Sequence, residues 1–65
     1  MGEKTRIQRA IKDAAKCRDW GVARRMAEKQ RHYVAVLLGD DGRFWVPATM
    51  VDMERLLRAG YEAAE

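Results

Sequence analysis

Two short apolar segments joined by a tight turn constrain the fold of this chain more than any other feature. The segments are residues 33–38 and 43–46, rich in β-branched and aromatic side chains, and Gly39 to Gly42 separates them. With the last glycine of that turn in the left-handed conformation, Leu38 lies opposite Phe44. We therefore predict an antiparallel β-hairpin.

Both faces of this hairpin are apolar. Alternation along the strands places one set of side chains on the first face: Val34, Val36, Leu38, Phe44 and Val46. The opposite face carries Tyr33, Ala35, Leu37 and Trp45. Either helices cover both faces, or the second face contacts another chain. The sequence leaves both alternatives open, and on the second we predict Tyr33, Leu37 and Trp45 as protein-interface residues.

Two amphipathic helices are expected before the hairpin. Residues from about 4 to 18 gather apolar side chains, only two of them large, on one side of a helical wheel, with Arg9, Lys12 and Lys16 opposite. Residues 22–31 fit a helical period better than a strand period, with Asp19 able to cap the amino terminus. A single longer helix bent near the glycine at position 21 is the alternative.

A third helix is expected after the hairpin, because Pro47 ends the second strand. Thr49 is a predicted N-cap with Asp52 three residues on, and Gly60 fits the left-handed position that follows a helix. No repeat or linker divides residues 1–65. We predict a single α+β domain of order α-α-β-β-α, with one antiparallel hairpin packed by two N-terminal helices and one C-terminal helix.

Size and cysteine content limit how such a domain is stabilised. The chain has 65 residues, and below roughly 70–80 residues one core rarely supplies more than about 3–5 kcal/mol. One cysteine, Cys17, and one histidine, His32, allow neither an internal disulfide nor a cysteine-histidine metal site. A lone thiol is typical of a reducing compartment, so we expect a cytoplasmic protein. The longest apolar run, residues 33–38, is too short for a membrane span.

No catalytic site is predicted. Cys17 with His32 is the only nucleophile-base pair on offer, and each is better explained as a structural residue. Asp40 and Asp41 are adjacent carboxylates that turn chemistry explains, and their spacing fits no calcium loop. We therefore expect no enzyme activity, no metal and no cofactor.

Charge is distributed unevenly along the chain. Residues 1–32 carry ten Lys and Arg against four Asp and Glu, a net charge of +6, whereas residues 33–65 carry three against six, a net charge of −3. Basic residues of the first two helices are candidates for phosphate contacts: Arg9, Lys12, Lys16, Arg24, Arg25, Lys29 and Arg31. No recognisable nucleic-acid-binding motif accompanies them.

These observations predict a small non-catalytic module that binds a macromolecule. The preferred interpretation is protein–protein recognition through the hairpin face, as self-association into a homo-oligomer or as inhibition of a partner protein. The alternative is a nucleic-acid-binding protein that uses the basic face of the N-terminal helices.

Overall fold

A computed structural model describes residues 2–31 and 34–64. In these ranges the elements are, in order, α1 (Glu3–Asp13), β1 (Ala15–Cys17), α2 (Trp20–Glu28), β2 (Leu37–Leu38), β3 (Phe44–Val46), α3 (Met50–Arg58) and β4 (Glu62–Ala63). The predicted α+β class is confirmed. The predicted order α-α-β-β-α is incomplete, because it lacks β1 and β4.

The strands form one antiparallel sheet of order β1-β3-β2-β4. Its central pair, β2 and β3, is the expected hairpin, and Leu38 lies opposite Phe44 as predicted. The turn has the expected conformation, with Gly42 at φ +79°. The Arg43 amide donates to the Asp41 carboxylate at 2.9 Å, which fixes the start of β3.

The first helix is shorter than the sequence predicts. It ends at Asp13, and Ala15–Cys17 extends along β3 instead, with Lys16 opposite Trp45. Pairing with β3 gives this segment hydrogen-bond partners that are distant in sequence and that helical periodicity does not reveal. The alternative of one long bent helix is also wrong, because β1 separates α1 from α2.

Local capping signals position the other two helices. Asp19 accepts a hydrogen bond from the Val22 amide at 3.0 Å, and Thr49 accepts one from the Asp52 amide at 3.1 Å. Both predicted N-caps are confirmed, although α2 begins at Trp20 and ends before residue 31. Gly60 has the expected positive φ, +109°, and the chain then reverses so that β4 pairs with β2.

The helices lie on both faces of the sheet. Residues paired across antiparallel strands point to the same face, and successive residues point to opposite faces. The Lys16 ammonium bonds to the Ile11 carbonyl near the end of α1, so the carboxyl end of α1 lies on the face that Lys16 shares with Trp45. Cys17 points the other way, and its Sγ lies 3.4 Å from Met26 Sδ in α2. The third helix packs against α1.

One core connects these layers. Its buried residues come from every helix, from β2 and β3, and from the residues that directly precede β1 and β2: Ala10, Ala14, Ala23, Ala27, Val34, Ala35, Val36, Leu37, Trp45, Val46, Met53 and Leu56. Alanines dominate the contributions of α1 and α2, and their small side chains let these helices approach their neighbours closely. Most described side chains of the apolar hairpin are covered by their own chain, as in the first of the two alternatives, although Leu38 is 47% exposed.

Candidate nucleic-acid interface

The basic residues predicted to contact nucleic acid are all exposed. They are Arg9 and Lys12 in α1, Lys16 in β1, Arg24 and Arg25 in α2, Lys29 at its end, and Arg31 beyond it. Within residues 2–31 and 34–64, the one ion pair joins Arg55 and Asp52, at 3.8 Å. No described carboxylate therefore forms an ion pair with a member of the predicted basic set.

The packing of α2 directs its basic residues to solvent. Ala23 and Ala27, one turn apart, are buried against the sheet. Arg25 and Lys29 are also one turn apart, roughly 160° around the helix from those alanines, and both are exposed. We name Arg24, Arg25 and Lys29 the α2 cations. They form a compact group of positive charge, interrupted by Glu28.

An aromatic side chain orients one of the α2 cations. The Arg24 guanidinium lies 5.1 Å from the centre of the Trp20 ring, within the range of a cation–π interaction. The Trp20 indole N–H donates to the Ala64 carbonyl at 2.8 Å, which fixes the ring beside the end of the sheet. Arg24 is therefore held on a fixed support while its side chain remains exposed to solvent.

Lys16 makes contacts within the protein. Its ammonium donates to the carbonyls of Ile11 and Ala14, the latter at 3.0 Å, and lies 5.7 Å from the centre of the Trp45 ring. Carbonyls at the end of a helix lack helical partners and carry partial negative charge, so a lysine there stabilises the helix. The position of Lys16 is accounted for by this role.

The basic residues therefore form two groups. Because α2 packs against β1 and β3 whereas α1 packs against α3, Arg9 and Lys12 belong to a different part of the surface from the α2 cations. The single basic face suggested by the sequence is divided. The α2 group is the denser of the two.

Two of the hairpin residues predicted at a protein interface are buried, unlike the basic residues. Leu37 is 0% exposed and Trp45 is 2% exposed, both covered by their own chain. In the single chain these two side chains therefore belong to the core rather than to an open face. Tyr33, the third predicted interface residue, and His32 lie outside the described residues.

Trp45 is held by contacts on several sides. Its indole N–H donates to the Asp41 carboxylate at 3.0 Å, and its ring lies 5.1 Å from that of Tyr61, tilted by 43°. The backbone of Gly39 lies directly against the ring, since a Cβ built there would be 2.2 Å from Cε2. Trp45 is therefore a core residue that ties the turn to the end of α3.

Tyr61 links the end of α3 to the turn. Its hydroxyl donates to the Asp40 carboxylate at 3.3 Å. Burial raises the pKa of the Tyr61 phenol above its ordinary value, and the charge and hydrogen bond of Asp40 raise it further. A raised pKa means that the folded protein favours the neutral phenol. Its contribution to stability is thus complete below the unfolded pKa, about 10, and is lost as pH rises through the folded pKa.

We predict that tyrosinate absorbance will report this shift. The chain has two tyrosines, so in a Tyr33→Phe background the titration belongs to Tyr61. We expect its midpoint to lie above that of a denatured sample. Adding Asp40→Asn should lower the midpoint without restoring the denatured value, because burial is the larger cause. If the folded Tyr33→Phe protein has the same midpoint as the denatured sample, the described environment of Tyr61 is contradicted.

A second cationic feature lies between α1 and α3. A cleft of about 430 Å³ is lined by Thr5, Arg6, Arg9, Asp52 and Arg55. Sequence reasoning identified Arg9 but missed Arg6 and Arg55. Arg6 precedes Arg9 by three residues, which helical spacing places on the same side. Nothing local indicates Arg55, because its position depends on the packing of α3 against α1.

Cys17, the candidate nucleophile, packs against the core. Cys17 lies in β1 rather than in a helix, with its thiol against Met26. In the described ranges, no cluster of three or more His, Cys, Asp or Glu side chains has the geometry to hold a metal ion. Over the same residues, none of the helices has both the length and the apolar character required to cross a bilayer.

Comparison with known proteins identifies no relative of this chain. No protein-family model, curated protein or solved structure significantly matches this chain. Functional inference therefore depends on the arrangement of its own residues.

Proposed function

We propose that this protein is a non-catalytic module that binds nucleic acid through the α2 cations, with Arg31 extending the same surface. The observation that carries the proposal is a group of exposed guanidinium and ammonium groups on the solvent side of one helix, with no described carboxylate paired to them. Phosphate backbones attract such groups, because binding releases condensed counterions.

The chemistry of this surface favours the backbone over the bases. Lysine and arginine contacts to phosphate carry no sequence information by themselves. Trp20 is partly buried, hydrogen-bonded through its indole N–H and stacked beneath Arg24, so its role is to support a cation. The proposed binding is electrostatic and tolerant of sequence. Because Cys17 is the single thiol, a reducing, cytoplasmic setting remains our prediction.

We predict that removing two α2 cations will weaken binding and its salt dependence together. Each phosphate contact contributes about 0.9 to the slope of log affinity against log salt for duplex DNA. Arg25→Gln combined with Lys29→Gln should therefore lower that slope by about 1.8. Fluorescence anisotropy with a mixed-sequence duplex at several salt concentrations measures both quantities.

The matched control removes the same charge elsewhere. Arg43 and Arg58 are exposed and lie outside α2, so Arg43→Gln with Arg58→Gln changes net charge equally. This control should retain most of the binding. Equal losses in the two double variants, or no salt-dependent binding of the parent protein to duplex or single-stranded nucleic acid, would contradict the proposal.

A second candidate function is self-association, and exposed apolar side chains on α3 favour it. Met50, Val51 and Leu57 are 43%, 54% and 40% exposed. These residues, rather than Leu37 and Trp45, would form the contact between two copies. Sedimentation over a range of protein concentrations, with and without duplex, separates the candidates: a dimer that dissociates on Val51→Glu supports the second.

A further inference from the structure

The cleft between α1 and α3 is a separate site from the α2 cations. Its basic lining comes from both helices: Arg6 and Arg9 from α1, and Arg55 from α3. Thr5 adds a hydroxyl that can donate a hydrogen bond. None of the α2 cations lines this cleft, so the two surfaces can be altered independently.

One carboxylate, that of Asp52, also lines the cleft. Asp52 lies 3.8 Å from the Arg55 guanidinium, and its side chain is only 16% exposed against 30% for Arg55. The Asp52 backbone amide is itself bound to Thr49, the cap of α3. Asp52 is thus part of a well-supported first turn and forms an ion pair with Arg55 beside the cleft. Three guanidinium groups and one carboxylate leave this lining with a net charge of +2.

We propose that the α1–α3 cleft binds a phosphate monoester dianion. Arginine is the preferred partner of phosphate, because its planar donors match the phosphate oxygens in pairs. A monoester carries a charge close to −2 at neutral pH, which balances the lining, whereas a backbone diester carries −1. A cleft between two helices also admits a terminal group more readily than a backbone phosphate with nucleotides on both sides.

Two sources can supply this chemistry. One is the terminal phosphate of a nucleic-acid strand, and the other is a free mononucleotide or inorganic phosphate. The shared group is the monoester or free phosphate dianion, and the site goes beyond the backbone contacts proposed for α2. Binding here can succeed or fail whatever the result for α2.

Calorimetric titration with small probes tests the site directly. Inorganic phosphate and adenosine monophosphate should bind, and dimethyl phosphate, a diester, should bind at least about tenfold more weakly. Arg55→Gln and Arg6→Gln should each weaken adenosine monophosphate binding by about tenfold or more, as expected for loss of a hydrogen bond between charged groups. Arg58→Gln, a charge-matched change on α3 outside the cleft lining, should leave it unchanged.

Oligonucleotides then distinguish the two sources. A single strand that binds more tightly with a 5′-phosphate than with a 5′-hydroxyl, in the Arg25→Gln and Lys29→Gln background, identifies strand ends. Binding of adenosine monophosphate as tight as that of the phosphorylated strand identifies a free nucleotide. Absence of binding to every monoester and to phosphate at millimolar concentration overturns the proposal, as does an equal loss in Arg58→Gln. Far-ultraviolet circular dichroism checks that each variant is folded. If Arg55→Gln proves to be unfolded, the binding measured for Arg6→Gln decides the test.

Discussion

Replacing Gly39 with alanine is expected to unfold most of the protein. A Cβ at this position would lie 2.2 Å from Cε2 and 2.4 Å from Nε1 of Trp45, far inside van der Waals contact. The ring cannot retreat freely, because its N–H is bonded to Asp41 and Tyr61 packs beside it. Overpacking a core typically costs about 1–3 kcal/mol, and a clash this close should reach or exceed the top of that range. That is comparable to the whole stability expected at this size, about 3–5 kcal/mol.

The same turn provides the matched control. Gly42 has φ +79°, and a Cβ there would meet nothing within 4 Å. Gly42→Ala should therefore cost only the left-handed backbone strain, about 1–2 kcal/mol. Urea unfolding followed by circular dichroism gives both values. Trp45→Phe should reduce the penalty of Gly39→Ala by making room. Equal destabilisation by the two alanines, or a penalty that is unchanged with phenylalanine, would show that the ring does not set the requirement for glycine.

Features encoded by neighbouring residues were predictable from the sequence. The Thr49 cap, the left-handed Gly60 and the intervening apolar side chains identified α3, because each signal acts within a few residues. The hairpin register followed from the turn between residues 39 and 42 in the same way. In such segments, local propensity and tertiary packing favour the same conformation.

Features that depend on long-range pairing were not predictable. Ala15–Cys17 continues the helical pattern of α1, yet pairs with β3, nearly 30 residues away in sequence. The cleft formed by Arg6, Arg9 and Arg55 has the same origin, since it requires α1 to pack against α3. Placing β1 in the sheet also separates α1 from α2 along the chain, so their basic residues do not continue along one helix.

The burial of Trp45 changes what its substitution is expected to do. An interface residue can be truncated with loss of binding and little loss of stability. Trp45 is 2% exposed and contacts Tyr61, Asp41 and Gly39. Trp45→Ala should therefore cost about 3–5 kcal/mol, the range found when a buried large aromatic is truncated. Against a total stability of similar size, we expect a largely unfolded chain.

Graded substitutions separate a core role from a binding role. Trp45→Phe keeps an aromatic ring beside Tyr61 and loses the indole hydrogen bond, so about 1 kcal/mol should be lost for that bond, with a further loss for the smaller ring. Asp41 still accepts from the Arg43 amide, which limits the damage in the turn. Leu57→Ala, at a 40% exposed position, should change stability by about 0.5 kcal/mol or less. Urea unfolding measures all three variants. A Trp45→Ala protein that is as stable as Leu57→Ala would place the indole at the surface and return the hairpin face to consideration as a binding site.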